Sequence, residues 1–216
     1  MRTATTLFLL VSLVVGFTAC EKEVDHIATG NNSINPGGSG STNNTNNIEG
    51  DYDFVGMEAY TQSTVRVITS SQTVETHTES YYITKNNSGT MTITSNQLIG
   101  NNIAYSIDTT MNVKTIVDNV LFDDSDFPYV TSSPASSSTS PYVRVSSDSI
   151  TVTGAIGVAT DPSGTIPTGP VGAKLSWSGD TLLLKINTTF SQTVTQGGVP
   201  GQITGSVNGV TKLKKH

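Results

Sequence analysis

Ile103-Ala104-Tyr105-Ser106-Ile107-Asp108-Thr109-Thr110-Met111-Asn112-Val113 alternates apolar with polar residues almost without a break. Successive side chains of an extended chain point to opposite faces. Ile103, Tyr105, Ile107, Met111 and Val113 therefore share one face, with Ser106, Asp108, Thr110 and Asn112 on the other. A helix would scatter the same apolar groups around its circumference. The stretch predicts a half-buried strand with Ile107 in the core. Just beyond it, Val113, Ile116, Val117, Val120 and Leu121 also fit helical spacing. Their β-branched density, and the Asp118-Asn119 pair among them, favour strand, turn, strand.

The same period recurs on both sides. Upstream, Ile48, Gly50, Tyr52 and Phe54 share a strand face with acids opposite, Thr64-Val65-Arg66-Val67-Ile68-Thr69 reads as a second strand, and residues 73–84 as a third. Lys85-Asn86-Asn87-Ser88-Gly89 reads as a turn into the alternating Thr90-Met91-Thr92-Ile93-Thr94. Downstream, residues 123–140 hold three acids, Pro128, Pro134 and a Ser/Thr run, and read as a loop. Strands resume at 142–145 and 149–156. A second loop follows through Asp161-Pro162-Ser163-Gly164 to Gly169-Pro170. A hairpin across Ser178-Gly179-Asp180 puts Leu182, Leu184 and Ile186 on one face. Gly197-Gly198-Val199-Pro200-Gly201 is a loop before the closing strand or strands of 202–215. The count is about eight to eleven short strands and no helix, an all-β pattern. Two architectures are compatible with it: an antiparallel meander closing into a barrel, which the long loops favour, and a two-sheet β-sandwich.

Composition narrows the class. The chain holds 34 Thr and 26 Ser, yet only 13% of its residues are charged, so its surface is hydroxyl-coated rather than ionic. Thr suits strands and Ser suits turns. Eleven basic residues against 17 acidic ones speak against nucleic acid, whose binders carry basic stripes, and against electrostatic attachment to anionic lipid. Cys20 is the single cysteine, so no disulfide forms within the chain and the core stabilises itself by burial.

The N-terminus has the parts of a secretory signal. Arg2 is basic, Leu7-Phe8-Leu9-Leu10-Val11-Ser12-Leu13-Val14-Val15 is apolar, and Phe17-Thr18-Ala19 leads into Cys20. The apolar core is too short to span a bilayer, which takes roughly 20 residues. A cysteine directly after small residues resembles the lipobox of Gram-negative bacterial lipoproteins, with Phe17 standing where Leu is commoner. The resemblance implies cleavage after residue 19, acylation of Cys20 (palmitate among the chains) and anchoring in the outer membrane. An ordinary secreted protein with an incidental cysteine is the plainer alternative. Glu21-Lys22-Glu23-Val24-Asp25 is similar to the acidic tract that sends some such lipoproteins to the outer face; a solvated leader reads equally well. Residues 20–47 then form an Asn/Gly/Ser-rich tether with little to bury. The roughly 22 residues of 27–48 span about 25 Å as a flexible coil. One β domain is expected over 48–216.

That domain resembles the lipocalin-like domains of tethered bacterial lipoproteins. The likeness rests on Gly50-x-Tyr52 in the opening strand and on Trp177, Gly179, Asp180 and Leu182 in a late hairpin. In such families a Gly-x-Trp plugs one barrel end; Tyr52 stands for the Trp here, and Lys212 is a candidate for the basic partner. The resemblance implies a closed barrel and, in some members, an apolar ligand cavity.

Little here suggests chemistry. Of the three histidines only His77 lies well inside the expected domain, with no nucleophile elbow beside it; an exposed strand histidine is the expectation. Asp123, Asp124 and Asp126 could offer hard oxygens to calcium, but lack the Gly and distal Glu of an EF-hand loop, and a solvated acidic loop is the alternative. Tyr81, Tyr82, Tyr129, Tyr142 and Trp177 are the rings on which a glycan could stack. Tyr129 and Tyr142 are expected to be exposed, and Trp177 to be core. The expectation is therefore a monomeric, non-catalytic binding or structural module without cofactor, anchored to the membrane through its N-terminal lipid. Its ligand would be a small apolar molecule or, in the alternative, a surface glycan.

Overall fold

The computed structural model describes residues 47–153, 169–196 and 199–216. Nine strands run through them in chain order: β1 (Gly50–Ile68), β2 (Thr73–Ile83), β3 (Lys85–Ile93), β4 (Gln97–Val117), β5 (Val120–Ser146), β6 (Ser149–Val152), β7 (Val171–Ser178), β8 (Thr181–Gln196) and β9 (Val199–Lys215). Residues 103–113 lie in β4 as their alternation requires. Ile107 is 1% exposed, Ile103 and Tyr105 pack against the core, and Asp108 and Thr110 face solvent.

All nine strands belong to one antiparallel sheet whose hydrogen bonding returns to its start. A ring of eight runs β1, β3, β4, β5, β6, β7, β8, β9 and back to β1, the last closure pairing residues 52–67 with 201–215. β2 follows the same course as β3: both lie antiparallel between β1 and β4, one beside each half of those long strands. Past the short β6 and β7, the far halves of β8, β9, β1, β2, β4 and β5 continue as neighbours.

Four sequence readings are corrected. The opening strand and the strand at 64–69, read as separate, are one continuous β1. Lys85-Asn86-Asn87-Ser88-Gly89 does not reverse the chain. Asn86 and Gly89 take positive φ and the register against β4 slips twice there, so the segment kinks one continuing run. Residues 123–140 are not a loop but the body of β5, paired with β4 from Val117↔Val120 to Gln97↔Pro141. Among the described residues this part of β5 pairs on one side only, which is where a strand tolerates proline, because the missing N–H can face away from the ladder. Val199-Pro200-Gly201 belongs to β9, paired with the end of β8. The Asp118-Asn119 turn is present, both residues at positive φ as a tight hairpin turn demands. Residues 154–168, which include the end of the expected strand 149–156 and most of the second loop, lie outside the described residues, as do Gly197, Gly198, the signal segment and residues 20–46.

The inward-pointing side chains fill the ring. Twenty-one residues form its core, among them Phe54, Ile107, Ile150, Leu182, Leu184 and Leu213, and none is more than 8% exposed. Each large aliphatic so buried stabilises the fold by about 1.5–3 kcal/mol. Ile48 and Tyr52 are among the most deeply buried of these side chains. The Tyr52 hydroxyl donates to the Ile48 carbonyl at 2.6 Å, and burial, with Tyr142 nearby, pushes its phenol up to about 12. Trp177, expected in the core, is instead 36% exposed, its ring centre 6.3 Å from that of Tyr52. Lys215 Nζ lies 5.9 Å from the Trp177 ring centre, a cation on an aromatic face. The lysine expected in a partner role, Lys212, pairs with Glu58 at 2.9 Å.

Candidate functional site

Cys20 lies outside the described residues. Within them, His77 has the most company. Its Nδ1 lies 3.0 Å from Thr64 Oγ1 and its Nε2 3.5 Å from Glu75 Oε2, while Arg66 Nε donates to the other Glu75 oxygen at 3.0 Å. Hydroxyl, imidazole and carboxylate are thus in line on the outward face of β1 and β2. Acyl-transfer chemistry also needs N–H groups aimed at a developing oxyanion. At Thr64 and His77 both strands are laddered on either side, β1 with β9 and β2 with β4, so their amides face neighbouring carbonyls.

The three acids are separated by the strand they occupy. Asp124 and Asp126 point outward and both accept from Asn112 Nδ2, at 2.9 and 3.0 Å, with Lys114 Nζ 3.6 Å from Asp124. Asp123 falls on the opposite face, where Ser125 Oγ donates to it at 3.0 Å. The fold brings together two of the three. Among the described residues no three His, Cys, Asp or Glu side chains are grouped to hold a metal ion.

The rings are distributed differently from the sequence expectation. Tyr142 is 5% exposed with its hydroxyl donating to the Thr94 carbonyl, and Tyr129 packs against the core, so neither is a free platform. Tyr81 is the open ring at 54%, while Tyr82, one residue on, is buried. Register puts Tyr81 directly beside Tyr60, Tyr60 beside Asn208, and Asn208 beside Asn187, one row across four strands on the outward face. Two residues along, Lys185 and Lys174 are also paired across strands. All six line a solvent-open hollow of about 740 Å³. The inward residues at the same level, Ala59, Ile150, Ala173 and Ile186, are at most 4% exposed, so the accessible wall is made by the outward side chains. Of these six, only Tyr81 is among the rings that the sequence singles out; Tyr60 is not. Lys185 and Asn187 are two apart on β8, while Lys174 and Asn208 join them only through register.

No family model matches the chain, and no curated protein or solved structure matches it either.

Proposed function

We propose that the chain is a lipid-anchored, non-catalytic protein of the Gram-negative cell envelope, held at the outer membrane through Cys20 and presenting a lipocalin-like barrel as a binding module. The observation that carries the domain reading is ring closure: β9 pairs with β1 along most of its length around a filled interior. Closure also favours a barrel over a two-sheet sandwich, whose sheets would each keep edges. Gly50 and Tyr52 at the start, with Trp177 and Lys215 packed over them, support the lipocalin-like form. A small apolar ligand would need an internal chamber. The 21 closely packed core side chains favour binding on the outer surface instead.

The anchor is tested by Cys20→Ser. The parent should fractionate with membranes and incorporate labelled palmitate; the variant should become soluble and unlabelled. A variant that stays in the membrane and labels as before would remove the lipoprotein reading.

A further inference from the structure

We propose that the outward row Tyr81, Tyr60, Asn208 and Asn187, with the Lys185–Lys174 pair beside it, binds an acidic saccharide. The inference rests on the reading of the domain as a binding module and assigns that module a site.

The lysines supply the first argument. Like charges directly opposite across strands repel, and neither lysine forms an ion pair among the described residues. Lys174 acts on Asp148, but the carboxyl of Asp148 is held low mainly by the Ser146 hydroxyl and less by this lysine. Glu58, in the same cross-strand row as Lys185 with Val210 between them, is already engaged by Lys212. The hollow therefore has an unmatched positive end, and a carboxylate or phosphate there would relieve the repulsion with charge-assisted hydrogen bonds.

The other end has different chemistry. Tyr81 and Tyr60 lie side by side as cross-strand neighbours, offering aromatic surface whose negative face attracts the polarised C–H groups of a pyranose. Asn208 and Asn187 continue the row, and neither side-chain amide has a partner among the described residues. Each holds donors and an acceptor free for adjacent sugar hydroxyls. With strands about 4.8 Å apart, the four residues span about 14 Å, the reach of a short oligosaccharide. Ring faces, then amides, then cations is a sequence of groups that an acidic sugar satisfies from end to end. A simple anion would use the lysines alone, and a neutral glycan would leave them unmatched.

The test is calorimetric titration of the full-length protein in nonionic detergent with tetragalacturonate, its neutral methyl ester and tripolyphosphate. The acid should bind saturably and the ester at least about tenfold more weakly. Lys185→Gln and Tyr81→Thr should each weaken the acid about tenfold, while Lys185→Arg retains binding and added salt reduces it. These are exposed positions, so unchanged thermal melts would show the variants folded. The site is overturned if tetragalacturonate does not saturate, if the ester binds equally, if tripolyphosphate binds as well with Tyr81→Thr unaffected, or if the variants bind like the parent. Any of these with membrane localisation intact removes the site and leaves the anchor reading standing.

Discussion

Tyr52 joins sequence, packing and pH response in one side chain. Its ring is fully buried and its hydroxyl is satisfied by the Ile48 carbonyl, so Tyr52→Phe should cost about 1 kcal/mol at neutral pH. The folded phenol titrates near 12 against 10 when unfolded, so the native state keeps its proton longer. The associated stability is whole below pH 10 and is lost as pH rises towards 12. Burial raises Tyr105 and Tyr142 in the same direction. Urea unfolding should show a midpoint that falls above pH 10, less steeply in Tyr52→Phe; an identical slope in the variant would count against the assignment. Ile107 makes the complementary point about position. Ile107→Asp places an unpaired carboxylate in the core at a cost of several kcal/mol. Asp108→Asn, one residue on, loses only an exposed contact with Lys85, worth about 0–1 kcal/mol. Thermal melts that ranked these two the other way would contradict the facing of β4.

At the level of elements, how closely strands pack is decided at particular residues. β9 passes Phe190 of β8 and Ser63 of β1 at Gly205, where an added Cβ would run into the Phe190 ring and the Gln62 carbonyl oxygen. The aromatic ring covers the space that the glycine leaves. Gly205→Ala should therefore destabilise by about 1–3 kcal/mol through overpacking. Gly172→Ala in β7 meets nothing within 4 Å and should be neutral or stabilising, by up to about 1 kcal/mol. Denaturant midpoints for the pair would check this, and equal effects would refute the packing account. β5 shows how composition misleads at this scale. Its Ser, Pro and Asp content reads as loop, but pairing to β4 is a backbone interaction and a one-sided ladder accepts such residues.

For the whole molecule, closure is the decisive property. β1 and β9 lie at opposite ends of the described chain yet share a ladder that runs to Val67↔Gly201. Deleting residues 199–216 removes the strand that satisfies both β1 and β8 and exposes two long edges, a setting that favours aggregation. The truncated protein should be recovered largely as insoluble or oligomeric material by sedimentation; a monomeric, cooperatively melting product would show that the ring does not depend on its last strand.

Alternation determined the all-β class and the facing of residues 103–113, and turn residues the Asp118-Asn119 turn and the hairpin across Gly179-Asp180, because period two and turn chemistry are local properties written in adjacent residues. Strand pairing is not local. The continuity of β2 into β3 depends on β1 and β4 flanking both, and nothing within Lys85-Asn86-Asn87-Ser88-Gly89 distinguishes a kink from a reversal. The exposure of Tyr81 and the burial of Tyr142 likewise follow from what lies across the sheet. Lys174 meets Lys185, and Tyr60 meets Asn208, through register, which is set by every closure around the ring together. The residue types of the hollow were present in the chain; only the tertiary structure made them neighbours.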